Sequence, residues 1–187
     1  MLGEHHLIVG GQRSGKSRQA ERLAQAWLRQ SESHSVTVVA TALAFDDEMR
    51  DRIRRHQQER PAGMATVESP LRLAETLHAH AVPGRLLLVD CLTLWLTNWL
   101  MPAEGEADLA AWRAEREALL AVLPDLPSPV VFVTNEVGWG IVPMSREVRA
   151  FVDELGWLNQ TVAQRCGQVT LMVAGQAWTR PVTPHEE

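Results

Sequence analysis

One lysine, Lys16, stands among the eighteen basic side chains of this 187-residue chain; all the others are arginine. It lies in Gly10-Gly11-Gln12-Arg13-Ser14-Gly15-Lys16-Ser17, the G-x-x-x-x-G-K-[S/T] spacing of a phosphate-binding loop. Arginine's planar fork suits bidentate partners, whereas a compact ammonium on a flexible stem folds over a nucleotide's β- and γ-phosphates as a point charge. Gly10 and Gly15 allow backbone conformations closed to other residues, so that successive amide N–H groups face the phosphate oxygens. Ser17 offers its hydroxyl to Mg²⁺, and the following helix turns its positive end toward the same anion.

The elements needed to hold such a loop are legible on either side of it. His5 to Val9 reads as a buried strand, and Ala20, Leu23, Ala24, Trp27 and Leu28 recur at the spacing of one helix face. Beyond them, Val36–Ala40 reads as a strand, and Asp46 or Asp47 caps a helix running to about Gln58, stopped by Pro61. Ala65–Glu68 reads as a short strand, with Ser69-Pro70 opening a helix through His80. Leu86–Asp90 follows as a strand, then helices near 92–101 and 108–123 and the strand Val130–Thr134. Ser145 caps a helix to about Cys166, and Val169–Ala174 closes the series. Strands apolar on both sides need cover on both faces. The expectation is therefore an α/β phosphate-loop NTPase, RecA-like, a three-layer sandwich around a mostly parallel sheet, in one domain spanning 1–187.

Asp90 ends a central apolar strand, where a doubly wound sheet binds ligands and where a carboxylate holds Mg²⁺ directly or through water. The plain alternative is a helix cap or turn residue. Arg50, Arg52, Arg54, Arg55 and Arg60 form either a solvated helix face or a phosphate-facing edge. His56 shares helical spacing with Met49 and Ile53, so it is either the polar end of a packing face or a nucleophile; a neutral imidazole attacks phosphorus competently near pH 7. The segment Asn135–Pro143 is a glycine-containing loop on the ligand-bearing edge: a rigid turn, an element that orders a subunit contact, or a substrate-enclosing element with Glu136 and Trp139 facing substrate. His78 and His80, two apart, do not share a helix face and make a poor metal pair.

Composition excludes several classes. A net charge of −5 and a pI near 5.8 argue against a nucleic-acid surface. Two cysteines, Cys91 and Cys166, with no secretory leader and no membrane-spanning apolar run, fit a cytoplasmic chain with structural thiols. No Asn-Lys-x-Asp exists to read guanine as switch GTPases do. A small-molecule kinase or a nucleotidyltransferase remains.

Several ordered motifs narrow the choice. The loop at 10–17, Ala40-Thr41-Ala42, Asp46–Arg50, Arg55–Pro61 and Thr134–Pro143, with Arg149, Phe151, Asp153, Gly156, Asn159 and Gln160 beyond, closely resemble the bifunctional adenosylcobinamide kinase/adenosylcobinamide-phosphate guanylyltransferase family of cobalamin assembly. The resemblance implies two reactions. A nucleoside triphosphate phosphorylates the aminopropanol hydroxyl of adenosylcobinamide, and GTP then donates GMP through a guanylyl-histidine to give adenosylcobinamide-GDP. It implies GTP and ATP as nucleotide substrates with Mg²⁺, adenosylcobinamide and its phosphate as partners, and a homotrimer. His56 aligns with the family's histidine, with Lys16 as the second catalytic group. Nucleotide contacts carry over to Gly10, Gly11, Gln12, Arg13, Ser14, Gly15, Lys16, Ser17, Thr41, Ala42, Leu43, Gln57, Gln58, Glu59, Arg60, Glu68 and Asp90, with Ser17 and Asp90 at the metal. The chain departs at Gln57, where a basic residue also occurs in the family, and at Asp90, where a glutamate does. Two rivals are a kinase for another small metabolite, which leaves His56 without a role, and a guanine-nucleotide-binding regulator, which forms no covalent species.

Overall fold

The computed structural model describes residues 4–43 and 63–183. The helix expected from Asp46 or Asp47 to Gln58, with His56, Gln57, Gln58, Glu59, Arg60 and the arginine cluster, lies outside the described residues. Among the described residues seven strands form one sheet: β1 (His6–Gly10), β2 (Ser35–Ala40), β3 (Met64–Glu68), β4 (Arg85–Asp90), β5 (Val130–Asn135), β6 (Gln168–Val173) and β7 (Gln176–Pro181). The helices are α1 (Lys16–Leu28), α2 (Leu73–His80), α3 (Leu92–Leu100), α4 (Leu109–Val122) and α5 (Arg146–Ala163). The strand order is β3-β2-β4-β5-β1-β6-β7, parallel throughout except for β7.

Strand alternation sorts the apolar runs into two cores. Ile8, Leu86, Leu88, Val131, Val133 and Met172 pack on one face against Ala20, Ala24 and Trp27 of α1. Leu7, Leu87, Val89, Val130 and Phe132 pack on the other against α2 to α5, through Leu77, Trp95, Trp112 and Leu158 among others. The continuous apolar runs of β4 and β5 exist because both faces are covered. With one strand, β5, between the loop-bearing β1 and the Asp90-bearing β4, the sheet has the expected three-layer, RecA-like arrangement.

Some boundaries and one strand differ from the reading of the sequence. α2 begins at Leu73, not at Ser69-Pro70. Ser69 is still tied to the sheet, its N–H donating to the Ala40 carbonyl at 2.8 Å, and its hydroxyl accepts from Thr76. The carboxylate that receives the Ala74 N–H at the start of α2 comes from Glu115 of α4, a partner that local sequence does not reveal. α5 ends at Ala163, one turn before Cys166, although Ser145 caps it as expected by accepting from the Val148 N–H. β7 was not foreseen: it returns antiparallel along β6 after a turn at Ala174 and Gly175, both at positive φ. Alanine is a rare choice for that conformation, and β7 is exposed throughout, so neither turn chemistry nor periodicity marked it. Trp27, Trp95 and Trp112 are buried, whereas Trp139, Trp157 and Trp178 are exposed.

Candidate active site

The phosphate loop leaves the C-terminal end of β1 and enters α1 at Lys16, with Gly15 as the residue before the helix at φ 101°. Gly10 is held by close approach: a Cβ there would run into the Met172 carbonyl of β6 and lie 2.8 Å from the Ser14 hydroxyl. Arg13 takes a positive φ of 57°, and the Ser14 N–H closes a turn onto the Gly11 carbonyl. Two outside contacts fix the loop. The Glu136 N–H donates to Gly10 O at 3.1 Å, and the Gly175 N–H donates to Ser14 O at 3.0 Å. Met172 and the β6–β7 turn therefore shape the loop, a part that the unforeseen β7 had concealed.

Lys16 is 8% exposed, and its Nζ donates to the Gly11 carbonyl at 2.7 Å, folding the side chain back over the loop. Burial lowers the pKa of its ammonium from the ordinary value, while the neighbouring Cys91 and Asp90 act against that shift. An anion arriving in the loop would supply the charge that burial withholds. Ser17 and Asp90 line one cleft together with Glu21, Val38, Met64 and Leu88. A hydroxyl and a carboxylate, both hard oxygen donors, suit a small divalent cation that keeps part of its water shell. Among the described residues no cluster of three His, Cys, Asp or Glu side chains could hold a metal by itself, so such a cation would rely on phosphate and water for its remaining ligands.

Register shows how far the remaining expected contacts lie from the loop. Asp90 pairs with Ala40 and with Val133, Ala40 with Glu68, and Gly10 with Asn135, so all five strand tips share one sheet edge. At one strand spacing per step, β4 stands about 10 Å from β1, and β3 about 19 Å. Asp90 thus stands on the part of the edge nearer the loop, whereas exposed Glu68 stands two strands farther out. Thr41 is fully buried, and its hydroxyl donates to the Cys91 carbonyl at 2.7 Å while accepting the Cys91 N–H at 2.8 Å. Its side chain locks the β2 tip to the β4 tip, leaving half-buried Ala42 and Leu43 nearer to open space. Asn98 of α3 completes the lock by donating to both the Thr41 and the Pro70 carbonyls. Gln12 and Arg13 are exposed at the loop crest. Burial and Asp90 push the Cys91 thiol up to about 11, and burial pushes Cys166 up to about 12, so neither is a ready nucleophile.

A second polar cluster lies beneath β5. Thr134 donates to Asn159 Oδ1 at 2.7 Å, Asn159 Nδ2 donates to the Asn135 carbonyl, and the Asn135 N–H donates to Thr93 Oγ1 at 2.8 Å. Thr93, Thr134 and Asn159 are all buried, so these bonds form where unpaired groups would be costly. The loop after Asn135 is highly exposed at Trp139, Ile141 and Met144, and Glu136 turns one carboxylate oxygen back to the Gly138 N–H.

The family described as cobinamide kinase / cobinamide phosphate guanyltransferase matches residues 6–179. The bifunctional adenosylcobalamin biosynthesis protein CobP of Pseudomonas aeruginosa is 50% identical over 169 residues, covering 90% of this chain and 92% of that protein. Two proteins called bifunctional adenosylcobalamin biosynthesis protein CobU, from Escherichia coli and Salmonella typhimurium, are 41% and 39% identical over 178 residues, each covering 90% of this chain and 95% of the relative. The flagellar accessory protein FlaH of Methanocaldococcus jannaschii superposes with a TM-score of 0.48 at 14% identity, over 94% of this chain and 75% of that one. With a family match spanning both the phosphate loop and the Asp90 strand, the chain belongs to the cobinamide kinase / cobinamide phosphate guanyltransferase family.

Proposed function

We propose that this chain phosphorylates adenosylcobinamide with a nucleoside triphosphate and then guanylylates the product with GTP. The observation that carries the reading is the convergence of Lys16, Ser17 and Asp90 on one side of the sheet edge, in a chain of this family. In the first reaction the aminopropanol hydroxyl attacks the γ-phosphorus and gives up its proton to solvent, the γ-phosphorus's bond to the β,γ-bridging oxygen breaks, and a nucleoside diphosphate leaves. Loop amides between Gly11 and Lys16 would hold the β-phosphate, and Lys16 would reach the β- and γ-oxygens. Mg²⁺, held by Ser17 and Asp90, would neutralise charge shared between those phosphates.

In the second reaction an imidazole nitrogen of His56 attacks the α-phosphorus of GTP, forming a P–N bond as pyrophosphate departs. A phosphate oxygen of adenosylcobinamide phosphate then attacks that phosphorus, the P–N bond breaks with its electron pair returning to the ring nitrogen, and the histidine leaves as neutral imidazole with its other nitrogen still protonated. Gln57, Gln58, Glu59 and Arg60 would grip the nucleotide beside His56, with Ala42, Leu43 and Glu68 along its path. Thr41 would act by orienting that path. A homotrimer would cover part of the exposed apolar loop around Ile141, and light scattering of the purified chain reads its mass.

Product analysis separates the reading from its rivals. Adenosylcobinamide with ATP or GTP should yield diphosphate and a phosphorylated corrinoid, and GTP added to that product should yield pyrophosphate. Diphosphate release without pyrophosphate leaves only a kinase; release of neither leaves a binding protein.

A further inference from the structure

Asn135 ends β5, the strand between the loop-bearing β1 and the Asp90-bearing β4. It pairs in register with Gly10, the first residue of the phosphate loop. Val131 and Val133 of the same strand pack on the α1 face, and alternation places the Asn135 side chain on that face as well. Its main chain is fastened from the opposite face, the N–H to Thr93 of α3 and the carbonyl to Asn159 of α5. Both of those side chains are buried, so the anchoring is rigid. The Asn135 side-chain amide, in contrast, is half-buried and makes no hydrogen bond among the described residues. Three elements thus hold one residue still while leaving its donor group unused.

The position says what the donor meets. Lys16, folded over the loop onto the Gly11 carbonyl, would meet the β- and γ-phosphates from the β1 side, and Ser17 and Asp90, which line one cleft, would hold a cation that supplies positive charge from the β4 side. The tip of β5 lies under the gap between them, about one strand spacing from each neighbour. We propose that the Asn135 side-chain amide donates a hydrogen bond to the terminal phosphate of the bound nucleoside triphosphate, making it a further catalytic residue of the phosphoryl-transfer step. This rests on the kinase reading above. As the hydroxyl oxygen bonds to the γ-phosphorus and the β,γ-bridging bond breaks, charge spreads over the γ-phosphoryl oxygens, and a neutral donor fixed on a strand stabilises it without reorganising. An amide suits the place because a carboxylate of the same shape would repel the phosphate.

The test compares the full chain with Asn135→Ala and Asn135→Asp. Calorimetric titration with Mg²⁺ and either the β,γ-imido analogue of GTP or GDP gives the triphosphate-over-diphosphate preference, and steady-state assay gives kcat and KM for phosphoryl transfer. Loss of a hydrogen bond to a charged group should cut the preference about 10-fold or more in Asn135→Ala, and further in Asn135→Asp, with GDP affinity kept. The kcat should fall about 100-fold or more. Kept GDP affinity shows that both variants are folded. The proposal is overturned if the native chain shows no triphosphate preference, or if both variants keep the native preference and kcat. A native chain without corrinoid kinase turnover would refute the kinase reading, while the binding ratio would still decide the contact of Asn135.

Discussion

Replacing Gly10 with alanine tests whether the loop is shaped by its neighbours or only by its own sequence. The added Cβ would meet the main-chain carbonyl of Met172 head-on, with the Ser14 hydroxyl at 2.8 Å and Met172 Cβ at 3.2 Å. Gly10 and Met172 are register partners on adjacent parallel strands, so the obstacle is backbone and cannot rotate away. Overpacking of this kind costs about 1–3 kcal/mol. For a chain of this size each kcal/mol moves Tm by about 2–4 °C, so a drop of about 6 °C is expected from the middle of that range. The loop must also shift, and a displacement approaching 1 Å at a reacting centre lowers turnover about 100-fold. Gly11 supplies the control: nothing lies within 4 Å of a Cβ there, and its φ is outside the positive range. Gly11→Ala should keep Tm or raise it slightly, with nucleotide affinity within about 2-fold of native. Scanning calorimetry and nucleotide titration on both variants decide the matter, and equal behaviour of the two would refute the steric reasoning.

Three further outcomes are expected. Asn98→Ala leaves the Thr41 and Pro70 carbonyls without their shared donor in a buried place, at a cost of about 1–3 kcal/mol that urea denaturation will read as a lower midpoint with unchanged slope. His5 and His6 have pKa values lowered from 6.5 chiefly by burial. As pH falls through 6.5 the unfolded chain therefore takes up protons first, and stability drops by up to about 1.4 kcal/mol per pH unit per ring until the folded rings protonate. His6→Gln should flatten that slope in denaturation midpoints collected from pH 7.5 downward. A chromogenic disulfide reagent at pH 8 should leave Cys91 and Cys166 largely unmodified in the native chain and titrate both in urea; rapid native reaction would contradict their raised pKa values.

The core was readable because its strands carry uninterrupted apolar runs: Leu86–Val89 and Val130–Val133 could only be covered on both faces, and both are. The placement of Lys16, Ser17 and Asp90 at one sheet edge was readable because strand, glycine loop and helix fix where the loop stands, and an acid that ends another parallel apolar strand stands at the same edge. Other features depend on contacts distant in sequence. Ser69-Pro70 looks like a helix start, yet the N–H at the actual start is satisfied by Glu115, forty-one residues away. Thr41 was expected from the resemblance to contact nucleotide, but its hydroxyl is occupied by Cys91, fifty residues on. β7 has no apolar face and turns on an alanine at positive φ, so its pairing with β6 had no local mark. The anchoring of Asn135 by Thr93 and Asn159 joins three segments whose polar residues look unremarkable when each is read by itself.

The central claim is covalent guanylylation, and intact-protein mass spectrometry tests it most directly. The native chain and His56→Ala are each incubated with GTP and Mg²⁺ in the absence of corrinoid, with nucleotide binding checked in parallel. The account predicts an acid-labile, GMP-sized adduct on the native chain, pyrophosphate release in equal amount, and neither from His56→Ala. A native preparation that binds GTP and acquires no adduct, or a His56→Ala chain that still acquires one, would contradict it.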